Sequence, residues 1–183
     1  MYTRASLQQG KFDRAVFAGM NFSSADLTGA SFVAAEFNRT SFRGAKLENA
    51  RFDKAVAVRS NFSGARMGAA SLEKAEFLRS NLSAAQLAGA NLSKGDFKRS
   101  NFAQADLSNA VLRYANISRA NFSTSKLAGA DLAHAFTLGT NVAGTDLSAA
   151  KGLTQEQLEI ACGDANTRVP ASLKKPASWP CAD

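Results

Sequence analysis

"FKRSNF", residues 97–102, has four relatives in the same chain: "FNRTSF" (37–42), "AVRSNF" (57–62), "FLRSNL" (77–82) and "ISRANF" (117–122). Their arginines, Arg39, Arg59, Arg79, Arg99 and Arg119, are 20 residues apart every time. A fixed period marks an internal repeat, and a repeat decides the fold before helices and strands are considered.

Working outward from that stretch, the period has a finer grain. Every fifth residue from Leu7 to Leu147 gives 29 positions, of which 12 are Phe and 12 are Leu. The exceptions are Ala57, Met67, Ile117, Thr137 and Val142. Two residues before each of these lies a small one; 19 of the 29 are Ala, and only Met20 is bulky. No insertion or phase slip interrupts the run.

A period of five fits neither a 3.6-residue helix nor a strand alternating in twos. It fits a coil that turns a corner every five residues, each side giving one large apolar and one small residue to a narrow interior. The 20-residue echo of the arginines makes four sides per coil. Residues 20 apart then stack at the strand spacing of about 4.8 Å.

The repeats "ADLTG" (25–29), "ANLSK" (90–94), "ADLSN" (105–109) and "ANFST" (120–124) resemble the A(D/N)LXX pattern of pentapeptide-repeat proteins. The resemblance covers residues 5 to about 150. It implies an all-β fold, a right-handed quadrilateral parallel β-helix of about seven coils. A repeat scaffold of this kind hosts many roles, so the resemblance implies fold more than function.

The bulk properties agree with one repeat array and a terminal extension. The chain has 183 residues, a net charge of +7 and 13 Phe against one Trp and two Tyr. Residues 151–183 balance four basic side chains with four acidic ones, so the excess charge belongs to residues 1–150. No apolar run approaches a membrane span. The N-terminus "MYTRASLQQG" has no hydrophobic signal region, as a processed chain would also lack one.

Columns at 20-residue spacing carry the surface chemistry. Asn21, Asn61, Asn81, Asn101, Asn121 and Asn141, interrupted by Ser41, form a ladder whose stacked amides can hydrogen-bond to one another. Their N-x-S patterns are by-products of the repeat. Gly29, Asn49, Gly89, Asn109 and Gly129 suit a corner that needs positive φ. Beside the arginine column lies a second basic one, Arg14, Lys54, Lys74 and Lys94. The nine cations are expected as two adjacent stripes up one corner. Glu36, Glu76 and Asp96 precede their arginines by three, and Asp53 and Glu73 adjoin lysines, so a solvated face with salt bridges is one reading. A docking strip for a polyanion (nucleic acid, anionic glycan or anionic surface) is the other. No aromatics interleave the stripes, which argues against single-strand binding.

Nothing points to catalysis, a cofactor or a metal. His134 stands alone on the outer surface, the cysteines lack C-x-x-C spacing, and there is no phosphate-binding glycine loop. The chain reads as non-enzymatic. The tail "KGLTQEQLEIACGD" breaks the five-residue rule and predicts a short capping α-helix. Thr154 and Gln157 make its capping box, Leu153 and Leu158 its staple, and Gly163 its stop. The expected division is residues 1–150 for the β-helix and 151–183 for the cap and tail. That tail is similar to those of some bacterial, often exported, family members.

Three roles follow: a structural or protein-interaction scaffold with an unnamed partner; polyanion binding through the basic stripes; and, by resemblance to quinolone-resistance members, DNA mimicry toward gyrase. The last requires an acidic surface, and this one is basic. The poorly covered first coil predicts a homodimer through the N-terminal end. Trp179 is expected to fold back over the exposed pair Phe136 and Leu138. A Cys162–Cys181 disulfide is expected to tether the tail, favouring a periplasmic or secreted location over a cytoplasmic one.

Overall fold

The computed structural model describes residues 5–180. Within them the backbone bridges itself at every fifth residue. From Ser6↔Asp26 to Asp131↔Lys151 each bridge is parallel and joins residues 20 apart. Each side makes three inter-coil bonds: Leu7 N–H to Asp26 O (2.7 Å), Gln9 N–H to Thr28 O (2.9 Å) and Asp26 N–H to Ala5 O (2.8 Å) set the pattern. The chain is therefore a parallel β-helix of very short strands, as solenoid stacking requires.

Corners follow from the sequence pattern. After each slot residue the chain turns, with a bond such as Ala25 N–H to Phe22 O (3.0 Å) closing the turn. The third residue of each turn has positive φ, which is the type II geometry. It is Gly29 or Asn49 where expected, but also Arg39, Lys54, Ala84 and Tyr114, all between 54° and 59° apart from the glycine. Positive φ is thus a property of the other turn columns too, not only of the glycine and asparagine column.

The interior is filled as the slots foretell. Phe22, Phe42 and Phe62 stack with centroids 5.1 and 4.8 Å apart, one coil above another. Neighbours five residues apart meet edge-on, as Phe37 and Phe42 do at 80°. Such contacts are worth about 0.5–1.5 kcal/mol each beyond area burial.

The Asn column works differently from a ladder of amides. Asn21, Asn61, Asn81 and Asn121 each accept from the backbone N–H two residues on, at 2.9–3.0 Å. Among the described residues no Asn–Asn side-chain bond occurs. A side chain held in an Asx turn satisfies its own strand end, and that local bond wins over a stack.

The two ends are unlike. At the C-terminal end the five-residue pattern stops near 150, but bridging goes on: Cys162 pairs with Asn141 and Arg168 with Asp146. Before Cys162 stands α1, Gln155–Glu159, with the expected Thr154–Gln157 capping box. Gln157 is buried; its amide donates to Leu132 O (3.0 Å) and Ala135 O (2.8 Å), while its backbone carbonyl accepts from Thr137 Oγ1 (2.8 Å). This explains Thr137 in an apolar slot. At the N-terminal end Leu7, Phe12, Phe17 and Met20 are only partly buried.

The helix ends earlier than Gly163, at Glu159 with Ile160 as cap. Gly163 instead makes room for Trp179, whose ring would overlap a Cβ there. The tail does fold back, but Trp179 sits on Gly163 and donates Nε1–H to Ala161 O (2.8 Å). Phe136 and Leu138 stay uncovered at 60% and 56% exposure. Cys181, the expected partner of Cys162, lies outside the described residues. No helix among them is long and apolar enough to cross a membrane.

Candidate interaction face

Outward positions recur 20 residues apart and form faces along the coil. One begins at residues 6, 26, 46 and so on, and mixes acidic with basic residues; one begins at 11, 31, 51; one at 16, 36, 56; and the neutral asparagine face at 21, 41, 61. The arginine column closes the third, which we call the arginine face. Arg14, Lys54, Lys74 and Lys94 occupy the corner before that face, since the turns at Ala15 and Met20 are separate. The two basic stripes are therefore on consecutive corners and flank one face, rather than sharing a corner. A five-residue step always crosses one side.

The corner carrying the arginines is tightly built. Arg39, Arg59, Arg79, Arg99 and Arg119 have φ of 54–57°. The residue after four of them is a buried hydroxyl, Thr40, Ser60, Ser80 and Ser100. These donate inward to the carbonyls of Phe17, Phe37, Ala57 and Phe77. The serine hydroxyls also accept from the backbone N–H one coil earlier: Thr40 N–H to Ser60 Oγ (3.1 Å), Ser60 N–H to Ser80 Oγ (3.1 Å), Ser80 N–H to Ser100 Oγ (3.0 Å). The corner polar groups are satisfied from within, so the guanidiniums point out with their donors unspent.

They also have no acid. Among the described residues eight ion pairs form, and none includes an arginine of the column. Asp96 pairs with Lys98 (3.0 Å) rather than Arg99, and Asp53 with Arg51 (3.2 Å) rather than Lys54. Lys74, with Glu73 at 3.8 Å, is the one stripe member so engaged. The expected salt-bridged face exists, but on the mixed-charge side: Lys46–Asp26, Arg66–Glu48, Lys126–Asp106 and Arg168–Asp146. There the Ser108 hydroxyl and N–H hold the Asp106 carboxyl below its ordinary range, and Ser148 does the same for Asp146.

The arginines line two shallow grooves that share Leu78 and Arg79. One, of about 760 Å³, runs from Ala18 past Arg39, Val58 and Arg59; the other, of about 460 Å³, continues past Arg99 and Arg119 to Leu138. Apolar side chains gather toward the ends of the same face, while Glu36, Glu76 and Asp96 hold outward positions between them without pairing with the arginines. Val16 (66%), Phe136 and Leu138 are exposed there, and Ile160 extends it through its carbonyl bond to Gly139 N–H (2.7 Å). Sequence reasoning picked out Arg39 to Arg119 but passed over Val58 and Leu78, although they hold outward positions in "AVR" and "FLR". It also missed Tyr114, which continues the lysine column and stacks on His134 at 4.7 Å.

Comparison with known proteins agrees with this architecture. A family profile described as a pentapeptide repeat region matches residues 5–87, and one for pentapeptide repeats, in 8 copies, matches 96–127. The chain belongs to the pentapeptide-repeat family, whose members form right-handed β-helices. No curated protein matches. Among solved structures, a trypsin-treated variant of QnrB1, a plasmid-mediated fluoroquinolone resistance protein, is 19% identical with a TM-score of 0.52, covering 92% of each chain. HetL, involved in heterocyst differentiation regulation in the cyanobacterium Nostoc, is 21% identical over 92% of this chain and 86% of its own, at a TM-score of 0.45. At these identities the likeness to QnrB1 is one of fold.

Proposed function

We propose that this pentapeptide-repeat protein is a non-enzymatic interaction scaffold whose working surface is the arginine face. The supporting observation is the set of five guanidiniums without an acid partner, lining a groove beside exposed apolar side chains. A face kept only for solubility needs no such arrangement; the mixed-charge face, two sides further round the coil, uses paired charges. Arginines that reach no acid, beside apolar groups, suit a protein partner that brings acidic and apolar groups together. The same reading takes the coil as quadrilateral, supported by bridges at every fifth residue with a 20-residue return. Capture of partners by the wild type, by Arg59→Glu/Arg79→Glu/Arg99→Glu and by Lys46→Glu/Arg66→Glu tests the proposal. Partners should be lost only from the first variant. A partner lost from the second and kept by the first would contradict it.

A second reading, polyanion binding, is favoured by the Tyr114–His134 stack, which adds aromatic area beside Lys94 and Arg113. It predicts retention on heparin or duplex DNA that falls steeply with salt, in proportion to the phosphates contacted. Gyrase binding by DNA mimicry is disfavoured, because a surface standing in for DNA must be acidic. Unchanged gyrase supercoiling at saturating protein agrees with that, and inhibition overturns it.

Both ends carry proposals. The partly buried Leu7, Phe12 and Phe17 support a dimer through the N-terminal coil; a monomer in sedimentation at tens of micromolar removes it. The anchoring of Trp179 at Ala161 brings the chain back beside Cys162, and no described cysteine is free, which supports the Cys162–Cys181 bridge and an oxidising location. Two titrating thiols in aerobically purified protein would sink both.

A further inference from the structure

The arginine groove has a length, a pitch and an apolar edge, and together these restrict what can lie in it. Arg39 to Arg119 spans four coil steps, about 19 Å at the strand spacing. The buried Thr40–Ser100 hydroxyl chain ties the corners of Arg39, Arg59, Arg79 and Arg99 together, and parallel bridges carry the same pitch on to Arg119. Val58, Leu78 and Leu138 lie one residue before the arginine column along the same groove, in a column they share with Asn38, Lys98 and Ser118. The occupant must offer carboxylate-like charge in a straight row at close to the coil pitch, with apolar groups alongside.

Pitch discriminates among the polymers that could do this. An extended strand shows side chains on one face every ~6.7 Å. By the fifth arginine its carboxylates would be about 8 Å out of step. Duplex DNA spaces phosphates about 3.4 Å along the axis of each strand, and its backbone presents nothing apolar to Leu78 and Leu138. An α-helix repeats every ~5.4 Å, so four turns drift only about 2 Å from four coil steps. Flexible arginine side chains absorb that drift.

We infer that the arginine groove seats an acidic, amphipathic α-helix of a partner protein, lying parallel to the rod axis. Carboxylates at i, i+4, i+7, i+11 and i+14 meet Arg39, Arg59, Arg79, Arg99 and Arg119. Apolar residues on the adjoining helix stripe cover Val58, Leu78 and Leu138. This is the helix-in-groove mode with cations as the dominant anchors. It rests on the arginine face being the docking surface.

The probe is a stapled 18-residue helix with Glu at those five positions and Leu on the neighbouring stripe. Its controls are a stapled helix of the same composition with the Glu dispersed around it, and a 20-base-pair duplex DNA as competitor. Fluorescence anisotropy at physiological ionic strength reads binding to the full chain. The designed helix should bind at least tenfold tighter than the dispersed one. Arg79→Glu/Arg99→Glu should weaken it at least thirtyfold, with circular dichroism showing the fold intact, while Lys46→Glu/Arg66→Glu should leave it unchanged. Absence of binding overturns the inference, as does equal binding of the dispersed helix. Displacement by DNA at concentrations equal to the peptide's also overturns it, and assigns the face to nucleic acid. Loss of binding in Lys46→Glu/Arg66→Glu instead would bring down the docking-face reading itself.

Discussion

Along the mixed-charge face, Asp26, Lys46, Arg66, Asp106, Lys126 and Asp146 succeed one another with gaps, and each of these cations finds an acid within 3.7 Å. Along the arginine face five cations follow in consecutive coils and none finds one. Backbone, corner geometry and interior are shared, so the difference lies wholly in what the outward positions carry. Like charges about 5 Å apart in water cost roughly 1 kcal/mol or less per pair. Each arginine also holds a left-handed backbone that costs an L-residue about 1–2 kcal/mol relative to its ordinary conformation. A surface selected only for stability would drift toward the pattern of the mixed-charge face, or toward the glycines that stand at Gly19 and Gly139 in the same column.

The comparison assumes that the shared interior sets stability and the faces do not. Phe42→Ala removes a side chain stacked on both Phe22 and Phe62. Chemical denaturation should show a loss of about 3–5 kcal/mol. A loss below 1 kcal/mol would mean that the stack does not carry the fold. Next in size is the binding contrast. Each Arg→Glu reversal among Arg59, Arg79 and Arg99 should weaken partner capture by about tenfold, equivalent to about 1.4 kcal/mol. The same variants should change unfolding free energy by no more than about 1 kcal/mol.

A smaller effect separates a structural from a functional arginine. Arg79→Gly relieves the left-handed strain but restores backbone freedom to the unfolded chain. Unfolding free energy should rise by up to about 1 kcal/mol while partner capture falls. A drop in stability beyond that range would make the arginine a structural element. The smallest effect belongs to the other face. Asp106 and Asp146, whose carboxyls Ser108 and Ser148 hold low, contribute stability above the ordinary carboxylate pKa of about 4. That contribution is lost as pH falls through the lower folded value. Asp106→Asn/Asp146→Asn should keep the Asx turns but forgo that contribution, so the acid-unfolding midpoint shifts slightly upward in pH. No shift would show that these aspartates are bystanders.

The coil was legible because its signal is redundant: a slot repeated 29 times survives five exceptions, one of which, Thr137, the cap explains. The arginine column was legible for the same reason. What was not legible depends on choices between neighbours that a period cannot resolve. Asp96 reaches Lys98 and leaves Arg99 alone, and the asparagines bond to their own turns rather than to each other. Gly163 looked like a helix stop, yet its missing Cβ serves Trp179, a contact across 16 residues with no local pattern. Val58 and Leu78 were visible as outward apolar residues, but their meaning came only from sharing a groove with the arginines.

The central claim is that the column guanidiniums are free for an external partner while Arg51, Arg66, Arg113 and Arg168 are held by acids. Arginine-selective labelling with phenylglyoxal, read residue by residue by mass spectrometry, tests this directly. In the free protein Arg59, Arg79, Arg99 and Arg119 should modify faster than Arg51, Arg66 and Arg113, which hold acid partners. Adding the captured partner should protect the first group and leave the second unchanged. Uniform labelling in the free protein, or protection that falls on Arg66 rather than on Arg79 and Arg99, would contradict the account.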